Sequence, residues 1–104
     1  MSASNDGDEL KRRDRHDIIA EILKTARDGK IKTHIMYKAK LSYAQINEYI
    51  PALVANGFLE NTTVKHKRSH RRVFKTTLKG ARFLENFESM KKMWVGSPSN
   101  SPPV

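Results

Sequence analysis

The sequence predicts a small α+β domain, mostly helical with one β-hairpin, in the order helix, helix, helix, strand, loop, strand, helix. Three observations point there. Apolar residues recur at helical spacing in three consecutive stretches between Asp14 and Gly57. Two β-prone segments then flank a short cationic run, as in a hairpin. A last stretch with helical periodicity follows, reaching to about Trp94.

The 104 residues carry 20 Lys and Arg against 11 Asp and Glu, no Cys, and a net charge of +9. One domain is expected, because two separate cores need a longer chain. Residues 1–13 are polar and first acidic, then basic, and residues 96–104 are rich in Ser and Pro. Both are expected to be disordered, for they hold too little apolar surface to order themselves. The chain then divides into an arm over 1–13, a domain over 14–77, a C-terminal helix over 78–95 and a tail over 96–104. No run nears the roughly 18 apolar residues of a membrane span, and no apolar leader follows Met1. A soluble, cytoplasmic protein without membrane contact is expected. The lack of cysteine excludes a disulfide scaffold and a Cys-type zinc finger.

The first helix is expected from Asp14 or Arg15 to Arg27. Ile18, Ile19, Ile22, Leu23 and Ala26 form its stripe, and Gly29 suits the left-handed position that stops a helix. Asp14 and Asp17 meet the positive end of its dipole. A short second helix takes Thr33 as N-cap, with Ile35, Met36 and Ala39 as its apolar side and Leu41 as a plug beyond Lys40. Ser42 opens the third helix, and its spacing to Gln45 is that of a capping box. Ile46, Ile50, Leu53 and Val54, with Tyr43 beside them, line its core face, and Gly57 ends it. Pro51 removes a backbone donor and is expected to kink it, but the stripe passes through in phase, so the helix is continuous.

Phe58, Leu59 and Val64 make the first strand, and Val73, Phe74 and Thr76 the second. Lys65 to Arg72, KHKRSHRR, reads as a loop between them. The last helix is expected from about Thr77 to Trp94, with Leu78, Ala81, Leu84 and Phe87 facing inward.

The charge is concentrated. Between Gly29 and Leu84 stand twelve cations and only two acids, Glu48 and Glu60, so this stretch alone accounts for the net charge. A field of one sign over half a domain suits a phosphate backbone, whereas solubility alone is served by mixed signs. Three short helices followed by a hairpin form a winged helix-turn-helix, in which the third helix offers its first residues to the major groove. Ser42 and Gln45 can contact a phosphate or a base edge there, with Ala44 allowing close approach; the bland reading is a capped, solvated helix start. In the wing, Lys65, Lys67, Arg68, Arg71 and Arg72 put five cations into eight residues, with His66 and His70 among them. Arg at a hairpin tip fits a narrow minor groove, and flanking cations hold the backbone.

Other constellations carry less. His66 and His70 have the spacing of a metal pair, but five neighbouring cations repel zinc, and no metal or cofactor is expected. Lys11, Arg12, Arg13 and Arg15 read equally as a backbone-binding arm or a solvated helix start. Phe83, Phe87, Met90 and Trp94 continue an apolar line past what a small core can cover, a dimer seam unless Trp94 folds back on the first helix. No Gly-rich phosphate loop, Cys nucleophile or apolar carboxylate pair is present, so catalysis is not expected, nor is a small-molecule ligand.

The run from Arg15 to Glu60 resembles archaeal winged helix-turn-helix regulators, in particular small dimeric, chromatin-type DNA-binding proteins. The likeness rests on I-x-x-I-L at Ile19–Leu23, K-T-x-I-M-Y at Lys32–Tyr37 and L-S-Y-x-Q at Leu41–Gln45. Tyr49–Pro51, G-F-L-E at Gly57–Glu60 and T-T-x-K-G at Thr76–Gly80 add to it. The resemblance implies double-stranded DNA as partner, no cofactor, and a homodimer formed through the C-terminal helix. It also implies that Ser42, Tyr43 and Gln45 begin the recognition helix. Two departures stand out: the last helix breaks at Gly96, and the wing is rich in Arg and His. The expected function is transcriptional regulation or nucleoid association, with Lys32, Lys38 and Lys40 on phosphates beside the second helix. The alternatives are an RNA- or ribosome-associated module and a protein-interaction winged helix in a transcription complex.

Overall fold

The computed structural model describes residues 13–93. Its elements are α1 (Arg15–Thr25), α2 (Lys32–Ala39), α3 (Tyr43–Ala55), β1 (Leu59–His66), β2 (Ser69–Thr76) and α4 (Leu78–Met93). The strands pair antiparallel, and the order is the one read from the sequence.

The apolar stripes build the core. Ile18, Ile22 and Leu23 of α1, Ile35 of α2, Ile46, Ile50 and Leu53 of α3 and Leu84 of α4 are buried together, with Leu41 between helices. Leu59 and Phe74 bring the base of the hairpin into the same cluster. No polar or charged side chain is buried among the described residues, so apolar burial carries the stability.

Capping boxes start α1 and α3. The Asp14 carboxylate accepts from the Asp17 amide, and the Asp17 carboxylate from the Asp14 amide. Ser42 and Gln45 do the same for α3, as their spacing implied. The cap of α2 is a correction: Ile31 holds that place without a side-chain bond, and Thr33 lies inside the helix. The end of α1 is another, at Thr25 and not Arg27. Thr76 is the physical reason, because its hydroxyl donates to the Leu23 carbonyl and its amide to that of Ala26. Helix α3 runs unbroken through Pro51.

The cationic run is not a loop. Strand pairing continues to His66 opposite Ser69, leaving Lys67 and Arg68 as a two-residue turn. Each strand of eight residues spans about 27 Å. The hairpin base is held further by Lys30 and Phe74, which exchange both backbone hydrogen bonds at 3.1 and 2.8 Å.

Three side chains turn the other way from expectation. Tyr43 is 66% exposed, Leu78 is 72% exposed, and Ala81 is also on the surface. In α4 the inward place is taken by Gly80 and Leu84. Gly80 packs closely on the Phe58 backbone, and Leu78, two residues before it, stands on the opposite side of the helix.

Candidate nucleic-acid interface

Helix α3 carries one charge, Glu48, and no Lys or Arg. Its exposed face consists of Tyr43, Ala44, Gln45, Glu48, Pro51, Ala52 and Ala55. Exposed cations precede and follow it in the chain. Lys38 and Lys40 are exposed at the end of α2, where Lys40 takes a left-handed conformation at φ 57°. The Lys40 carbonyl accepts from Arg13 at 3.2 Å, which brings that guanidinium to the same turn. After it comes the hairpin, where Lys65, Lys67, Arg68, His70, Arg71 and Arg72 are all exposed. No carboxylate of the described residues forms an ion pair with any of them.

Register sorts those cations. Directly opposed residues of an antiparallel pair share a face. Thr63 with Arg72, and Lys65 with His70, therefore continue the face that holds Leu59 and Phe74. Val64 with Arg71, and His66 with Ser69, lie on the reverse. The two histidines thus sit on opposite faces of a paired ribbon. Among the described residues no group of three or more metal-ligating side chains occurs.

Lys32, at the start of α2, reaches across to α3. Its ammonium donates to Asn47 Oδ1 at 2.6 Å and lies 5.5 Å from the Tyr43 ring centre, so it is drawn to the flank of α3. There it lines a cleft of about 420 Å³ between α3 and the hairpin, with Asn47, Pro51, Asn61 and Arg72. Sequence reasoning missed Asn47 and Asn61. Only Pro51 hinted at the former, since a proline leaves the carbonyl four residues earlier without its helical donor. A second cleft, about 290 Å³, lies between α1 and α3 and includes Arg15 and Glu48. Glu48 thus stands on the α1 flank, away from the hairpin.

Ser42 and Gln45 are exposed at the tip of α3, with the Gln45 oxygen engaged by the Ser42 amide at 2.9 Å. Tyr37, 77% exposed on α2, is a further large side chain at this edge that sequence reasoning passed over.

The apolar line on α4 splits. Phe83 and Phe87 are half-buried, in a stack that runs from His16 through Phe83 to Phe87, with Phe58 5.3 Å from Phe83. They serve the chain's own core in part. Met90 and Met93 are exposed, and Trp94 lies outside the described residues. No described helix is long and apolar enough to cross a membrane.

Three helices, a braced third helix and a long cationic hairpin define a winged helix-turn-helix domain. The winged helix-turn-helix family profile matches residues 12–94, and the chain belongs to that family. The structure is similar to the crystal structure of Sso10a-2, titled a DNA-binding protein from Sulfolobus solfataricus. The TM-score is 0.67 at 25% identity, over 78% of this chain and 81% of that one. The sequence is 38% identical over 55 residues to an uncharacterized protein of Methanocaldococcus jannaschii. That match covers 52% of this chain and spans 57% of the relative's length. Both relatives are archaeal, in line with the resemblance carried by the sequence.

Proposed function

We propose that this protein binds double-stranded DNA as a homodimer and acts as a transcriptional regulator or nucleoid-associated protein in the cytoplasm. One observation carries the reading: a helix without cations is preceded and followed in the chain by exposed cations. A major groove offers base edges in its floor and phosphates on both rims, which calls for that distribution. In this reading α3 enters the groove with Ser42, Tyr43 and Gln45 leading. Lys38 and Lys40 meet one rim, while Lys65, Lys67, Arg68, His70, Arg71 and Arg72 meet the other or the adjacent minor groove. The likeness to a protein titled as DNA-binding supports the choice of partner. The role is binding, with no reaction assigned. Exposed Met90 and Met93 at the end of α4 support a dimer seam there, with Phe83, Phe87 and Trp94 on the same line.

The test is binding to a random-sequence duplex of about 30 base pairs across a salt series, with light scattering for mass and structured RNA as competitor. A steep fall of affinity with salt, dimeric mass and weak competition by RNA are expected. Absence of binding at low salt would overturn the reading, and stronger binding to RNA would reassign the partner.

A further inference from the structure

We infer that the cleft between α3 and the hairpin is a binding site for one sugar–phosphate unit of the duplex, clamped by Lys32 and Arg72 from opposite walls. The inference deepens the duplex-binding reading and rests on it. Lys32 comes from the start of α2 and Arg72 from β2, yet both line this cleft, and no carboxylate does. Two cations on one cavity without an acid favour an anion between them. Lys32 is held in place: its ammonium is fixed to Asn47 Oδ1 at 2.6 Å, and Asn47 belongs to α3. The Asn47 oxygen is thereby turned to Lys32, so its amide NH2 is the group left to donate. Apart from Asn61, the remaining lining is apolar, with Ile50, Pro51 and Phe74 among it. A phosphodiester bears one charged group beside one largely apolar deoxyribose, and the cleft offers cationic donors beside an apolar wall. Asn47 is then a positioning residue for Lys32, as well as a donor to the phosphate.

The clamp differs measurably from two independent contacts. Each neutralised phosphate contributes about 0.9 to the slope of log affinity against log salt. If Lys32 and Arg72 share one phosphate, K32M and R72M each leave the slope nearly unchanged, because the other cation still neutralises it. The double variant then loses about one slope unit, and R72K in the K32M background restores what R72M removes there. Thermal melts of each variant without DNA verify that the fold is retained. Single variants that each lose about one unit, and a double that loses about two, would mean separate phosphates and overturn the clamp. No change even in the double variant would place the cleft outside the interface. A wild-type protein that binds no duplex at low salt would instead sink the underlying duplex reading. Inorganic phosphate, titrated without DNA, is the control for charge alone. If it shifts the Asn47 side-chain amide resonance as tightly as duplex does, the cleft belongs to a small anion.

Discussion

Gly80 of α4 lies backbone to backbone against Phe58, so close that a Cβ at Gly80 would run into the Phe58 carbonyl oxygen and stand 2.9 Å from Thr76 Cγ2. The same carbonyl accepts from the Thr77 amide, and the Thr77 hydroxyl accepts from the Gly80 amide and donates to the Gly57 carbonyl. This knot sets where α4 leaves the hairpin. In an ordinary helix, alanine in place of glycine gains about 1 kcal/mol. Here the clash reverses the sign, and G80A is expected to lose about 1–3 kcal/mol. Urea unfolding measures it, and a variant as stable as the parent would refute the close approach.

Acid sensitivity is expected at the first helix. The Asp17 backbone amide holds the Asp14 carboxyl below its ordinary value, outweighing burial; the Asp17 side chain and the His16 charge also lower it. A carboxyl lowered in the folded state stabilises the fold above its unfolded value, and that contribution is lost as pH falls through the folded value. D14A is expected to lose about 1 kcal/mol at neutral pH, and D14N little, since Asn also caps. The gap between parent and D14A should narrow in acid, as followed by thermal melting. A gap independent of pH would mean that the carboxylate charge adds nothing to the cap.

The turn separates stability from binding. Lys67 has φ 56° at the first central position of a two-residue hairpin turn, where glycine is favoured. K67G is therefore expected to raise stability by about 0.5 kcal/mol or more while removing about one unit from the salt slope. Losing both tip cations, Lys67 and Arg68, is expected to remove about two units. Lys75, at the hairpin base on the reverse face, should leave the slope unchanged when replaced by Ala. An equal effect from Lys75 would mean that charge acts without regard to position.

The last prediction concerns mass. Met90 is 58% exposed on α4, so M90K costs the isolated domain little yet puts a like-charge pair across a two-fold seam. A shift from dimer to monomer in light scattering is expected, with an unchanged far-ultraviolet spectrum. Dimeric mass at micromolar concentration would move the seam elsewhere.

Much of this architecture was legible in the chain because its causes are local. Ser42 with Gln45 spells a cap, Gly57 takes φ 80° just past the cap of α3, and the stripes of α1 and α3 name their own buried faces. The hairpin was legible only at its base. Residues 65–66 and 69–72 lack apolar alternation, so nothing local marked them as strands, and they are extended because β1 and β2 pair through them.

Sequence alone determined the starts of α1 and α3, most of the apolar core, the family resemblance and the concentration of positive charge. Each follows from a residue and its near neighbours. Tertiary structure decided which cations share a hairpin face, that Thr76 ends α1, that Leu78 turns outward beside Gly80, and that Lys32 and Arg72 line one cleft. Those relationships join residues up to 53 positions apart, and only packing and strand register bring them together.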